Sequence, residues 1–240
     1  MILILDLMKL IRRDLQFRGD MKLDNTGSLR SEINLSDLPK EINLFNRTIK
    51  RLFDFIASGV GLAFSLPIII VSVLLVMAIY KENGFFTQTR VGKNGKEFKI
   101  IKIKSMSSKI NYETTVTTTY DPRITKLGKI FRKTKIDELP QLINVFKGDM
   151  SFVGPRPDVK ELVNTIPPEI KEVFLSVRPG ITGPATIKYR NEEEILASVE
   201  NPQQYNDDVI FPDKVDINLV YIRNYNFFKD IGFILKTVFK

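Results

Sequence analysis

The stretch of this 240-residue sequence best equipped for chemistry is Asp137-Glu138-Leu139-Pro140. Two adjacent carboxylates follow a run in which Arg123, Lys126, Lys129, Arg132 and Lys133 recur at helical spacing. A carboxylate kept ionised beside cations can serve as a nucleophile or as a ligand to a hard metal such as magnesium. Neighbouring side chains on a tight turn can divide those roles. An isolated Asp-Glu before proline is more often a plain helix start; the basic run in front of it is what favours chemistry here. If Asp137 caps a helix running on through Gln141 to Phe146, the helix dipole adds to its stabilisation. The chain has no His and no Cys. That excludes Ser–His and Cys–His catalysis, zinc or haem held by these residues, and disulfides. Reactivity falls to carboxylates, Lys, Arg, Tyr, hydroxyls or a hard cation.

Two further loops offer arginines. In Gly154-Pro155-Arg156-Pro157 the flanking prolines fix the backbone, so the guanidinium has little entropy left to lose. It suits a phosphate or a flat base, although Pro-Arg-Pro alone is simply a rigid loop. Arg178-Pro179-Gly180-Ile181-Thr182-Gly183 is a glycine-rich turn able to bring N–H groups to an anion. It is not a Walker A loop, because no Gly-Lys-Ser/Thr follows.

The elements that must position these residues are legible in part. The net charge is +8, and residues 81–140 hold all of it: fourteen Lys and Arg against six Asp and Glu, with twenty-two of each elsewhere. The partner of that stretch is anionic: nucleic acid, an anionic membrane or a phosphorylated substrate. Asn94-Gly95 between two apolar-basic arms predicts a hairpin on a type I′ turn. The stripe from Arg123 to Lys133 predicts an amphipathic basic helix, slightly weakened by Gly128. Residues 55–80 carry no charge, and a helix of that length reaches ~39 Å, enough to cross a ~30 Å hydrocarbon core. Pro67 lies in its middle, and both flanks are basic: Arg47, Lys50 and Arg51 before, Lys81, Arg90, Lys93 and Lys96 after. The positive-inside rule places both flanks on one side. The expectation is therefore a helix, a break and a second helix that enters and leaves the same leaflet. The start of the chain lacks a basic region and a small-residue cleavage site and does not read as a targeting signal.

With these pieces in view, the sequence resembles the bacterial sugar transferases of the monotopic phosphoglycosyl transferase superfamily, from about Lys50 to the C-terminus. The matching stretches occur in the family's order. They are Lys50-Arg51-Leu52-Phe53-Asp54, Phe86-Thr87-Gln88-Thr89-Arg90-Val91-Gly92, Lys102-Ile103-Lys104-Ser105-Met106 and Asp121-Pro122-Arg123-Ile124-Thr125. Then come Asp137-Glu138-Leu139-Pro140-Gln141, the segment from Gly148 to Pro157, Arg178-Pro179-Gly180-Ile181-Thr182-Gly183 and Phe227-Phe228-Lys229-Asp230. The resemblance implies an α+β, mostly helical fold with a re-entrant membrane helix-break-helix. A small cytoplasmic α/β catalytic head with amphipathic interfacial helices rests on the bacterial inner membrane. In domain terms these are an N-terminal extension (1–46), a membrane hairpin (47–82) and a catalytic domain (83–240).

The resemblance also implies a magnesium-dependent reaction in two steps, from a UDP-sugar to undecaprenyl phosphate, with release of UMP. By position Asp137 matches the nucleophile and Glu138 the magnesium ligand, the two together forming the metal site. Arg132 and Arg178 match phosphate-holding arginines, and Asp230 a further active-site carboxylate. Arg156, between Pro155 and Pro157, matches the uridine contact. Gln88, Arg90, Lys104 and Arg190, within or beside matching stretches, are assigned to substrate binding. The implied partners are the UDP-sugar, undecaprenyl phosphate and the bilayer, with no nucleic acid; the oligomeric state is open, a homodimer included.

The sequence departs from the family at Ser65-Leu66-Pro67 and at Lys104, where the family prefers arginine. It departs most between Pro184 and Pro212, which includes Glu192-Glu193-Glu194 and is expected to shape the sugar pocket. Two other classes stand beside the transferase: a non-catalytic membrane scaffold with a basic lipid-binding face, and a membrane-tethered nucleic-acid binder. The second ranks last, since no aromatics interleave with the basic stripe as stacking platforms.

Overall fold

The computed structural model describes residues 42–110 and 116–239. Nearly all of the N-terminal extension lies outside the described residues. A 37-residue helix, α1 (Leu44–Tyr80), comes first. Asn43 caps it by accepting from Asn46 N at 2.8 Å, and Lys81 closes it in the left-handed region at φ 52°. The expected break is not seen: the helix continues through Pro67. Proline deletes one hydrogen bond, and the remaining turns keep theirs. One side of α1 is buried along its length, at Lys50, Asp54, Ser58, Ser65, Ile69, Ser72, Val73 and Val76. Steps of three, four and seven put these residues on one stripe. The other faces expose large apolar side chains, among them Phe64, Leu66, Val71 and Leu74. Among the described residues α1 is the one helix long and apolar enough to cross a membrane.

The hairpin forms as its sequence predicts. β1 (Phe85–Val91) and β2 (Glu97–Ile103) pair antiparallel, with Gln88 opposite Ile100. Asn94 (φ 55°) and Gly95 (φ 76°) both take positive φ, and Lys96 N donates to Lys93 O at 3.2 Å, as a type I′ turn requires. The basic helix α2 spans Lys126–Thr134. It starts later than its charge stripe suggests. Thr125 caps it by accepting from Gly128 N at 2.9 Å, while Arg123 lies before it, with Nη2 2.7 Å from Asp121. Gly128 is there for space: a Cβ would stand 1.8 Å from Ser105 O.

A 3₁₀ turn (Ile136–Glu138) leads into α3 (Gln141–Lys147). Asn144 of α3 covers the free edge of β2, accepting from Ile101 N at 3.1 Å and donating to Lys99 O at 2.8 Å. β3 (Ser151–Val153) pairs parallel with β4 (Gly180–Thr182). Between them lie α4 (Lys160–Val163) and α5 (Pro168–Phe174). The chain ends in α6 (Pro184–Lys188), α7 (Glu192–Ala197), α8 (Pro202–Tyr205), a π-helical turn (Asn206–Ile210), α9 (Phe211–Arg223) and α10 (Phe227–Val238). The mostly helical α+β character expected from the sequence is present.

Separate apolar clusters hold the layers together. Ile69, Val73 and Val76 of α1 pack with Ile103 and Phe131, and Ile136 and Leu139 lean on the same cluster. Val153, Val177, Tyr221 and Ile222 form a second, and Ile166, Phe174, Phe211, Val215 and Leu219 a third.

Candidate active site

Ile136 and Leu139 decide where the paired carboxylates stand. Both pack against the cluster shared by α1, β2 and α2, so the residues between them are presented on a fixed turn. Asp137 is 5% exposed, and its Oδ1 is buried without a hydrogen-bond partner. It does not cap a helix: it lies inside the 3₁₀ turn, and α3 begins from Pro140 with no side-chain cap. The two anchoring residues on either side impose that turn before a helical N-terminus can form at Asp137. Burial, together with the charge of Glu138, pushes the Asp137 carboxyl above its ordinary range, partly offset by Lys102, Arg132 and Lys135.

Glu138 takes the opposite direction. Arg156 Nη2 donates to its Oε1 at 2.7 Å, and Lys102 Nζ donates to the same oxygen at 3.3 Å. Burial opposes its charge, but Arg156 and Lys102 outweigh burial and hold it well below the usual carboxylate range. Burial lowers the Lys102 ammonium, partly offset by Glu138. Two neighbouring carboxylates are thus driven apart in acidity, one saturated with cations and the other left without a hydrogen bond at one oxygen. Such divergence is common where chemistry is done.

The Pro155-Arg156-Pro157 loop is held by close backbone contact. Both prolines are buried, and Gly180 N donates to Pro155 O at 2.8 Å. A Cβ on Gly154 would stand 2.3 Å from Arg178 O, and one on Gly180 2.2 Å from Gly154 N. Only glycines let the parallel strands come this near. On the adjoining strand Arg90 Nη2 donates to Gln88 Oε1 at 2.7 Å, while the charges of Asp158 and Arg156 act on Arg90. Arg132 donates to Glu193 of α7, its Nη1 is 3.7 Å from Met106 Sδ, and its Nε is buried without a partner.

One constellation therefore gathers Asp137, Glu138, Arg132, Arg156, Gln88 and Arg90. Four expected site residues are engaged elsewhere. Lys104 pairs with Glu82 at 2.5 Å, near the end of α1. Arg190 Nη2 donates to Lys236 O at 3.0 Å. Arg178 Nε donates to Gly148 O at 2.8 Å, just beyond α3, where Arg51 reaches Val145 O and Phe146 O at 2.7 Å each. These two arginines satisfy carbonyls that the helix end leaves open. Asp230 pairs with Lys50 and accepts from Tyr221 Oη at 2.8 Å.

The sequence reading did not single out several members of the constellation. Lys102 stood among equivalent-looking lysines on β2. Asp158, between Arg90, Arg156 and Lys214, follows the Pro-Arg-Pro loop with no pattern of its own. Glu192, which accepts from Lys214 Nζ at 2.7 Å on both oxygens, lies in the segment expected to shape the sugar pocket but was given no role of its own.

Among the described residues no group of three or more His, Cys, Asp or Glu could hold a metal. Asp137 and Glu138 nevertheless fit magnesium. It commonly takes one or two carboxylates and completes its shell with substrate phosphates and water, and Asp137 Oδ1 has no competing partner.

The chain is 36% identical over 212 residues to a UDP-glucose:undecaprenyl-phosphate glucose-1-phosphate transferase of Klebsiella pneumoniae, covering 87% of this chain and 43% of that protein. It is 32% identical over 204 residues to a UDP-N-acetylgalactosamine-undecaprenyl-phosphate N-acetylgalactosaminephosphotransferase of Aeromonas hydrophila, covering 84% of this chain and 44% of that protein. It is 32% identical over 209 residues to the exopolysaccharide production protein ExoY of Rhizobium meliloti, covering 79% and 83%. The chain thus spans less than half the length of the first two relatives. A profile described as bacterial sugar transferase matches residues 45–240. The chain belongs to the bacterial sugar transferase family.

Proposed function

We propose that the protein transfers a sugar-1-phosphate from a UDP-sugar to undecaprenyl phosphate, by way of a phosphosugar carried on Asp137. The observation that carries this reading is the unpartnered buried oxygen of Asp137 beside a cation-saturated Glu138. In the first step an Asp137 oxygen attacks the β-phosphorus of the donor. The new bond joins carboxylate oxygen to phosphorus, and the bridging P–O bond to the α-phosphate breaks, so UMP leaves with that electron pair. In the second step an oxygen of undecaprenyl phosphate attacks the same phosphorus and the Asp137 carboxylate is released. The product is a lipid diphosphosugar, and Asp137 returns ionised, so atoms and charges balance.

The other residues supply electrostatics and placement. Arg132 acts on the charge at Asp137 and is suited to a donor phosphate. Arg156 faces Glu138 and has the fixed loop needed to meet the nucleotide. Lys102 helps keep Glu138 ionised. Asp137 and Glu138 would hold magnesium, which neutralises charge on the diphosphate.

The bilayer reading follows from α1. Its apolar faces are exposed and both flanks are basic, while its buried stripe stays with the head. A helix that stays with the head for most of its length suits attachment to the surface of one leaflet better than a free span. We place the head on the cytoplasmic face of the bacterial inner membrane, where both substrates are reached.

The test is UMP release by purified protein in detergent with magnesium, undecaprenyl phosphate and a panel of UDP-sugars. Release with one sugar, and none from Asp137→Asn, supports the reading. Release by the Asn variant overturns it.

A further inference from the structure

Two ion pairs tie the start of α7 across the rim of the constellation. Glu193 accepts from Arg132 Nη2 on α2, and Glu192 accepts from Lys214 Nζ on α9 through both oxygens at 2.7 Å. Thr119 N also donates to Glu193 O at 3.3 Å. The charge of Glu192 reaches Arg156 and Asp158. A short acidic segment therefore bridges the mouth of the site and engages its cations.

The Arg132–Glu193 pair is unequal in depth. The arginine side chain is 22% exposed and the glutamate 43%, so the cation is fixed below and the anion sits at the rim. Arg132 is poorly satisfied otherwise: Nη1 meets a thioether at 3.7 Å and Nε has no partner. A guanidinium in that state suits an anion with more acceptor oxygens than one carboxylate reaches from the edge, which a phosphate provides.

We propose that Glu193 is an internal anion that occupies Arg132 until the diphosphate of the donor displaces it, and that it thereby sets donor affinity. This rests on the UDP-sugar reading above. Only the fraction of molecules in which Glu193 has left Arg132 is competent to bind, so apparent affinity is reduced by that fraction. A partly exposed ion pair supports an effect of about three- to fivefold. A glutamate that merely orients Arg132 would have the opposite effect, since its loss would weaken binding.

The test is titration calorimetry of the full chain in detergent with UDP and magnesium, comparing wild type, Glu193→Gln and Glu194→Gln. Glu194 is exposed on the same helix, so its variant makes the same charge change away from Arg132. The expected result is UDP binding about three- to fivefold tighter in Glu193→Gln and unchanged in Glu194→Gln. The donor KM should fall by the same factor with kcat held. Equal or weaker binding by Glu193→Gln overturns the proposal, as does equal tightening by Glu194→Gln. Absence of UDP binding in all three proteins overturns the UDP-sugar reading itself, and the proposal with it.

Discussion

Lys50→Met would test what joins α1 to α10. Lys50 is buried on α1, paired with Asp230 of α10, and its Nζ lies 5.7 Å from the centre of the Tyr225 ring. Asp54, one turn along the helix, adds a second carboxylate whose Oδ1 accepts from Ser151 Oγ and Phe152 N, both at 3.1 Å. One cation thus serves two buried acids. Removing it leaves both, with Tyr221 Oη as the remaining donor to Asp230 at 2.8 Å. Stripping one partner from a buried pair costs about 3–5 kcal/mol. Asp230→Asn should cost less, about 1–2 kcal/mol, because Tyr221 keeps an acceptor and Asp54 still faces Lys50. The double variant leaves only Asp54 without its cation, with Ser151 and Phe152 still donating to it, and should cost about 2–3 kcal/mol, giving a coupling of at least about 1 kcal/mol. For a chain of this size Lys50→Met then lowers Tm by ~6–20 °C. Helical circular dichroism during heating in detergent is the suitable readout, since the chain has no Trp. Additive losses, or a loss below ~0.5 kcal/mol in Lys50→Met, would refute the reasoning. The same variants address Asp230 itself. If it acts by anchoring, turnover lost in Lys50→Met returns in part in the double variant; a stable but inactive double variant would place Asp230 at the substrate.

Gly128→Ala sets propensity against packing. Alanine favours a helix interior by ~1 kcal/mol over glycine, yet the new Cβ would stand 1.8 Å from Ser105 O. The variant should lose stability on heating and turn over more slowly as α2 shifts Arg132; a gain in Tm would contradict the packing. The acid limb of the rate of UMP formation should lie above the ordinary aspartate value of 3.8, because Asp137 must ionise to attack and burial raises it. The sign for stability follows. A raised carboxylate favours the fold while protonated, and that contribution fades as pH rises through the folded value. Asp137→Asn should therefore melt higher than wild type at neutral pH, with the gap closing in acid; a lower Tm at neutral pH would count against a raised Asp137.

The hairpin was fully legible, because Asn94-Gly95 suits the positive φ that both residues take. The length and apolar surface of α1 were legible as well. Its buried stripe was not, since Ser58, Ser65 and Ser72 read as ordinary polar interruptions until the head packs on them. Pro67 predicts a lost hydrogen bond, but not whether the helix ends there. The carboxylate pair was found from residue type and charge setting. Its turn was missed because Ile136 and Leu139 are fixed by contacts distant in sequence. Arg178 looked like an anion ligand in a glycine-rich turn; its Nε serves a carbonyl beyond α3. No spacing rule separates Lys102, which meets Glu138, from Lys104, which meets Glu82. That choice depends on where two loops approach one strand. Glu192 and Glu193 lie where the sequence leaves the family pattern; the segment was expected at the sugar pocket, but their pairing with Lys214 and Arg132 depends on contacts distant in sequence.

The covalent intermediate on Asp137 is the central claim, and peptide mass spectrometry tests it most directly. The protein is incubated with magnesium and the UDP-sugar that supports UMP release, without lipid acceptor, then quenched and digested. The account predicts a mass gain of one phosphosugar on the peptide containing Asp137, absent in Asp137→Asn and discharged by added undecaprenyl phosphate. UMP release with no adduct under single-turnover quenching, or an adduct on any other residue, would contradict it.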